Sequence, residues 1–287
     1  MKTYVLKSMT LSEILDTAAN LLQNRFTMLM TISAFAMIPV ELVSNLVGAV
    51  MMPEPLQPGA SEQVVWAWLT SAIPAISVQV GFFLILVVIV MPITEAAIVH
   101  AIASEYLGKP ATASECMGIG FRRFAALIGT GFLKSIIVGL TMLLFFFPGL
   151  YFLYKYTFSS EAVVIEEKSG MSALTRSGEL MTDNFGTAFV LGLVMFVVYM
   201  MGGVAGGFVP TMVGKVIVQV VVNAVLFTYG IATSVVFYFS CRCKLENFDL
   251  AILAHAVGAE APAVEVAPAT TQPPPFSDTP PSDSLPR

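Results

Sequence analysis

Apolar runs of about twenty residues recur along the chain between residues 26 and 240. A run of that length is what an α-helix needs to cross the hydrocarbon core of a bilayer. Only 11% of the residues are charged, against about 25% in soluble domains. Because hydrocarbon offers no water to backbone groups, such runs must satisfy their hydrogen bonds internally, as helices do. The sequence therefore predicts an all-α, polytopic membrane bundle.

Six runs are candidate spans, and residues 26–255 form one membrane domain around them. We place the spans at about residues 26–52, 69–99, 124–147, 150–165, 187–209 and 213–240. Pro148 and Gly149 are the predicted turn before the fourth span. That span is short and carries two charges, so the sequence leaves open whether it crosses fully. Gly108 is predicted to end the long second helix.

Lysine and arginine are concentrated in the N-terminal arm and in the connections after the second, fourth and sixth spans. Basic connections favour the cytoplasmic side of a membrane. This distribution predicts a bacterial inner-membrane protein with both termini in the cytoplasm. The loop at residues 53–63 and the turn at Pro148 and Gly149 are then expected outside.

Three stretches outside the predicted spans have amphipathic patterns and are expected to be cytoplasmic interfacial helices. The first lies within residues 1–25, and the others lie at about residues 112–124 and 169–185. Thr10 with Glu13, and Thr112 with Glu115, match the capping-box pattern. A shift of 159 residues aligns the apolar positions of the first stretch with those of the third. This alignment indicates a divergent repeat of amphipathic helix plus hairpin, with a loosely fitting middle copy; chance similarity is the alternative.

Residues 256–287 are rich in proline, alanine and small polar residues. Such a composition buries too little apolar surface to offset the entropy of ordering. We expect a disordered cytoplasmic tail. Its "PPPFSDTPP" segment is able to adopt the extended polyproline conformation and bind a protein partner, although a plain disordered end is the alternative.

Residues 148–185 resemble the membrane domain that precedes the catalytic domain of some bacterial glycerophosphodiester phosphodiesterases. That domain also occurs as a stand-alone six-helix protein. Similarity extends over most of residues 8–254. The resemblance implies a six-helix membrane fold without catalytic residues of its own. The matching residues are Pro148, Gly149, Tyr151, Lys155, Glu166, Ala173, Leu174, Arg176, Ser177, Leu180, Asn184 and Phe185.

Motifs that would carry catalysis are missing from the sequence. Neither His100 nor His255 precedes the Arg-Gly that a phosphodiesterase of that type requires, and there is no P-loop or G-x-S-x-G elbow. The three cysteines lack a zinc spacing. We expect no enzyme activity, cofactor or metal, and the absence of a basic stripe predicts no nucleic-acid partner.

Five ionisable residues fall inside the predicted spans: Lys134, Glu161, Glu95, Lys155 and Glu41. Ionisable groups at depth cost about 2.5–3.5 kcal/mol each on insertion scales, so they usually pair inside the bundle. Their estimated depths predict that Lys134 pairs with Glu161 or Glu95, and Lys155 with Glu41. Two interpretations stay open: structural charge neutralisation, and a polar cavity for a lipid headgroup.

Small residues recur at the end of the fifth span, where Gly202 and Gly206, and Gly203 and Gly207, have the spacing that lets helices approach closely. The expected use is packing within one chain, with dimerisation as the alternative and the oligomeric state open. The sequence as a whole favours a non-catalytic scaffold, regulatory or membrane-organising protein. The alternative is a transporter or binder of a lipid or other amphiphile.

Overall fold

The structure is a computed structural model that describes residues 7–204, 207 and 209–246. Every regular element in these ranges is helical. The predicted tail at 256–287 and Gly206 lie outside the described residues. The helices are α1 (Leu11–Asn24), α2 (Phe26–Val50), α3 (Glu62–Ile85), α4 (Met91–Tyr106), α5 (Ala113–Leu144), α6 (Phe146–Lys155), α7 (Ser159–Ile165), α8 (Met171–Met181), α9 (Phe185–Gly203) and α10 (Met212–Glu246).

Five helical stretches in the described part of the chain are long and apolar enough to cross a membrane. Since about 20 helical residues span the hydrocarbon core, each stretch suits one crossing. The structure therefore supports the predicted class, a helical protein with several membrane spans. The stretches are Phe26–Val47, Glu62–Tyr106, Ala113–Leu144, Phe185–Gly203 and Val213–Glu246.

The second span begins earlier than predicted and forms one helical rod from α3 to α4, joined by a π-helical turn at Leu86–Val90. Proline lacks the N–H of a regular helix and crowds the preceding turn, and a π turn is one way to accommodate it. Pro92 directly follows this turn. The predicted end at Gly108 is confirmed: its φ is +73°, and Lys109 N–H donates to Ser104 C=O at 2.8 Å, as in a Schellman cap.

α5 merges two elements that the sequence analysis separates. The capping box is present, because Thr112 Oγ1 accepts from Glu115 N–H and Glu115 accepts from Thr112 N–H. The helix then continues for 32 residues, through Arg122 and Arg123 to Leu144. The prediction of a separate middle interfacial helix is therefore wrong. The physical reason is that no proline interrupts this stretch, so nothing stops the helix at the predicted boundary.

The turn after α5 lies at Phe145, which is extended (φ −149°, ψ 113°), and not at the predicted Pro148 and Gly149. Pro148 falls in the first turn of α6. Backbone N–H groups there have no partner within the helix, so proline costs no helical hydrogen bond. The predicted fourth span consists of two short helices, α6 with 10 residues and α7 with 7. Residues 156–158 separate them.

The first and third amphipathic stretches form α1 and α8, and each buries its apolar face inside the protein. α1 begins with the predicted capping box of Thr10 and Glu13. It lies against α10, where Tyr229 O–H donates to Leu15 C=O at 3.3 Å. Several positions that the shift of 159 residues aligns are buried in both segments. The aligned buried pairs are Ile14 and Ala173, Ala18 and Ser177, Leu21 and Leu180, and Leu22 and Met181.

Gly202 is a packing residue of α9, which ends at Gly203, short of the predicted 209. A Cβ at Gly202 would lie 2.2 Å from Leu226 Cδ1 and 3.2 Å from Val222 Cγ1, both on α10. A Cβ at Gly203 or Gly207 would meet nothing within 4 Å among the described residues. Among the predicted glycines that the structure describes, Gly202 is therefore the one that allows close packing, here of α9 against α10.

We expect Gly202→Ala to lower the free energy of unfolding by about 1 kcal/mol, the lower end of overpacking effects, because the added methyl displaces the ends of side chains on α10 and no backbone atom. Thermal unfolding in detergent, followed by loss of the monodisperse peak, measures the effect. Gly203→Ala is the matched control, since its methyl meets open space. Equal melting temperatures for the two variants would contradict the assignment.

Candidate functional site

Glu41 and Lys155 do not form the predicted ion pair. Glu41 accepts hydrogen bonds from Asn223 Nδ2 at 2.7 Å and from Asn45 Nδ2 at 3.4 Å. Lys155 instead packs against α8. Its Cε lies so close to Gly178 that a Cβ added there would be only 2.8 Å away. The break that ends α6 at Lys155 directs this lysine to α8 and away from α2, where Glu41 lies.

Lys134 is the cation of a polar cavity of about 280 Å³ between α4, α5 and α7, here named the Lys134 cavity. Lys134 Nζ donates to Ser159 Oγ at 3.4 Å. Glu95 lines the same cavity but forms no ion pair with Lys134 in the described structure. The lining residues are Pro92, Glu95, Leu127, Thr130, Gly131, Lys134, Ser135, Ser159, Ser160 and Val163.

Glu161 lies beside this cavity on α7, and it is 3% exposed. The hydroxyl of Ser234 donates to its Oε1, whereas its Oε2 is buried without a hydrogen-bond partner among the described residues. No ion pair joins Glu161 to Lys134. The predicted pairing of Lys134 with Glu161 or Glu95 is therefore not present as a salt bridge, although the structure brings Lys134 and Glu95 to one cavity and places Glu161 beside it.

A local structural feature explains why these groups come together. Glu95 follows the π-helical turn and Pro92 on the α3–α4 rod, so it faces the cavity just beyond the irregular turn. Ser159 begins α7 directly after the break at residues 156–158. Two walls of the cavity therefore lie next to helix interruptions, one at Leu86–Val90 and the other at residues 156–158.

Ser177, one of the predicted family-motif residues, lies at the same break. Ser177 on α8 is fully buried; its hydroxyl donates to Lys155 C=O at 2.8 Å and accepts from Phe158 N–H at 3.0 Å. These are backbone groups that the interrupted helix leaves unpaired. Ala173 and Leu174, on the same helix, are also fully buried. α8 therefore completes the hydrogen bonding of the α6–α7 break.

Phe185 and Asn184, at the start of α9, contact the neighbouring helices through ring packing and hydrogen bonds. The ring centre of Phe185 lies 5.6 Å from that of Tyr151 and 5.5 Å from that of Tyr154. Asn184 donates to Leu180 C=O at 2.9 Å and accepts from Lys244 Nζ at 3.1 Å. These contacts tie α8 and α9 to α6 and α10.

Arg176 and Glu166 form the centre of an ionic network, here named the Arg176 network. Arg176 Nε donates to both carboxylate oxygens of Glu166, at 2.9 and 2.8 Å, and Nη2 pairs with Glu246. Arg242 Nε lies 2.9 Å from Glu246 and 3.7 Å from Glu166. Tyr238 O–H also donates to Glu166. The network joins the segment after α7 to α8 and the end of α10.

Burial alone raises the pKa of the Glu166 carboxyl, but hydrogen bonds from Tyr238 and Arg176 outweigh it and hold that pKa below its usual range. A carboxyl with a depressed folded-state pKa stabilises the fold above its ordinary pKa. That contribution is lost as the pH falls through the folded-state value. Glu166 is therefore a structural anion at neutral pH.

Several residues that build these sites were not predicted from the sequence. Hydroxyl groups inside apolar runs, such as Ser159 and Ser234, were a usable signal, because serine in a span usually hydrogen-bonds across helices. Glu246 and Tyr238 gave no local signal, since their partners lie far away in the sequence. Across the described ranges, no three His, Cys, Asp or Glu side chains come together as metal ligands.

Comparison with known proteins adds no further assignment. No family model, no curated protein and no solved structure matches this chain.

Proposed function

We propose that this is a non-catalytic, multi-pass protein of the bacterial inner membrane that organises its surroundings by holding the polar head of a lipid or other amphiphile in the Lys134 cavity. The observation that carries the proposal is that Lys134 and Glu95 line one cavity without a salt bridge between them. Ionisable groups at depth are costly unless a partner or water satisfies them. A charged or zwitterionic head supplies that partner.

The size of the cavity supports this proposal. Its volume of about 280 Å³ is at the small end of ligand pockets and suits a head more than a whole lipid. Hydroxyls of Ser135, Ser159 and Ser160 line it beside Lys134. The acceptor oxygens of a lipid head would therefore bind to these hydroxyls and to Lys134, and an amine of the head would bind to the carboxylate of Glu95.

We also propose six crossings, with α6 and α7 together as an interrupted fourth one. Irregular backbone is tolerated at membrane depth where it is buried in protein. The support is Ser177, which satisfies Lys155 C=O and Phe158 N–H at the break. α1 and α8 are the proposed interfacial helices.

Ion pairs between basic residues of the connectors and nearby glutamates support cytoplasmic termini in this proposal. Arg25 Nε lies 2.7 Å from Glu105, and Arg123 pairs with Glu167. The Arg176 network includes the end of α10. Basic side chains of separate connectors thus meet acidic partners near the ends of α4, α7 and α10, as expected for connectors that share one side of a membrane.

Membership of the family of phosphodiesterase membrane domains is part of the proposal. Its support is that the matching residues Glu166, Arg176, Ser177 and Asn184 all form hydrogen bonds that join α8 and its ends to the α6–α7 region or to α10. A shared role in one structural feature is what a family motif is expected to have.

Transport of the same amphiphile is the second candidate. The observation that favours it is that two interrupted helices, at Leu86–Val90 and at residues 156–158, border the Lys134 cavity. Discontinuous helices form the binding sites of many secondary transporters. A translocation assay on vesicles that contain the purified protein distinguishes a carrier from a static binder.

Lys134→Met tests the binding proposal. The full-length protein is purified in detergent, and bound amphiphiles are extracted and identified by mass spectrometry. We expect wild type to retain one chemically distinct species in stoichiometric amount, and Lys134→Met to lower its affinity about 10-fold or more, because one charge-assisted hydrogen bond is lost.

Lys215→Met is the matched control, since Lys215 is exposed near the start of α10 and does not line the Lys134 cavity. It should retain the amphiphile of wild type. Bulk membrane lipid alone in wild type, or an unchanged species in Lys134→Met, would rule out the proposed site.

A further inference from the structure

A second cavity, of about 300 Å³, lies between α6 and α8 and contains the side chain of Lys155; we name it the Lys155 cavity. Lys155 Nζ is 5.8 Å from the ring centre of Tyr151 and 5.7 Å from that of Phe152. No carboxylate of the described residues forms an ion pair with it. Glu179 lines the cavity, but its carboxylate is paired with Arg176 Nη1 at 3.5 Å. Within the described part of the chain, the lysine is therefore a cation without a carboxylate counter-ion.

Hydroxyl groups line the cavity together with this cation. Tyr151, Tyr156 and Thr175 line it, and none of their hydroxyls hydrogen-bonds to another group in the described structure. The hydroxyl of Thr182 is already used, since it donates to Gly178 C=O at 3.0 Å. The free groups are thus an ammonium and three hydroxyls, and a group that only accepts hydrogen bonds matches them best.

Gly178 determines where the lysine lies. A Cβ at this position would be 2.8 Å from Lys155 Cε and 3.5 Å from Lys155 Cγ. Because glycine has no side chain, the stem of Lys155 runs flat along α8 and its ammonium reaches the cavity. A larger residue would occupy the space of the stem and displace the charge.

We propose that the Lys155 cavity binds the phosphate group of an anionic membrane lipid. A phosphodiester has one negative charge and only acceptor oxygens, so it complements one ammonium and three hydroxyls. The ring of Tyr151 and the side chain of Met171, residues that are 48% and 57% exposed, border the cavity and suit the glycerol and acyl part of a lipid. This site is separate from the Lys134 cavity, and the inference does not depend on the proposed function.

Native mass spectrometry of the full-length protein in detergent tests the inference, with dioctanoyl phosphatidylglycerol as the added probe. Lys155→Gln should weaken one phosphatidylglycerol-binding step about 10-fold or more, since a charge-assisted contact is lost. Gly178→Val should have the same effect while the lysine is still present. Lys134→Met should leave this step unchanged, which distinguishes failure here from failure at the Lys134 cavity.

Dioctanoylglycerol, which lacks the phosphate, and inorganic phosphate, which lacks the lipid, complete the design. Binding of phosphatidylglycerol alone supports the lipid as the ligand. Equal competition by inorganic phosphate would support a phosphate site and overturn the lipid as its source. Equal binding of dioctanoylglycerol, or unchanged phosphatidylglycerol binding in both Lys155→Gln and Gly178→Val, would overturn the inference. Lys155→Arg keeps the charge and should retain most of the affinity, which shows that a loss in Lys155→Gln is not a folding defect.

Discussion

Arg176→Met is expected to lower the free energy of unfolding by about 3 kcal/mol, the lower end of the cost of removing one partner from a buried ion pair. The side chain of Arg176 is 10% exposed, and that of Glu166 is 13% exposed. Loss of the guanidinium removes a donor that Glu166 and Glu246 share, while Tyr238 and Arg242 still contact these carboxylates and limit the loss. Denaturant titration of the protein in mixed micelles measures the change.

Glu179→Gln is the control for this prediction, because its side chain is 55% exposed and lies 3.5 Å from Arg176. An exposed pair of this kind contributes at most about 1 kcal/mol. Arg176→Lys keeps the charge but loses the forked geometry, and it should fall between the two. Equal stability of Arg176→Met and Glu179→Gln would mean that the Arg176 network does not hold α8 to α10.

Gly149→Ala is expected to be the most damaging single methyl addition between α5 and α6. The new Cβ would lie 2.5 Å from Met142 Cα and 2.7 Å from Met142 N. Backbone atoms inside a helix cannot move without the whole helix, so α5 and α6 must separate. We expect a loss of about 3 kcal/mol, at the upper end of overpacking effects. Thermal unfolding in detergent measures it.

Gly139→Ala is the matched control in the same hairpin, since a Cβ there meets nothing within 4 Å. It should be neutral or slightly stabilising, because alanine favours the helix over glycine. If Gly149→Ala melts at the temperature of Gly139→Ala, the close crossing of α5 and α6 is wrong. Loss of the crossing also moves Lys134 away from Ser159, so Gly149→Ala should bind less amphiphile in the Lys134 cavity.

Features that depend on a few neighbouring residues were predicted well. The capping boxes at Thr10 and Thr112 and the helix end at Gly108 are present where the sequence placed them. Each depends on groups within four residues of one another, and such groups meet whenever the local helix forms. The five long apolar stretches follow from composition and length in the same way.

Breaks in helices were predicted poorly. Pro148 and Gly149 looked like a turn, yet they lie inside the first part of α6, and the turn is at Phe145. The break at residues 156–158 has no proline or glycine to mark it. Ser177, far along the chain, compensates for the hydrogen bonds that are lost there. Tertiary contacts therefore decide where this helix is interrupted.

Length, hydropathy and capping residues by themselves determined the class of this protein, a helical protein with several membrane spans, and the helix ends that carry a local cap, at Thr10, Gly108 and Thr112. Only the tertiary structure decided which charges meet. Depth along a helix can be estimated from residue number, but the partner of a side chain also depends on the rotation and spacing of the helices. Close contacts such as Gly149 with Met142 and Gly202 with Leu226 set that rotation and spacing. Glu41 therefore meets Asn223, and Lys155 meets α8.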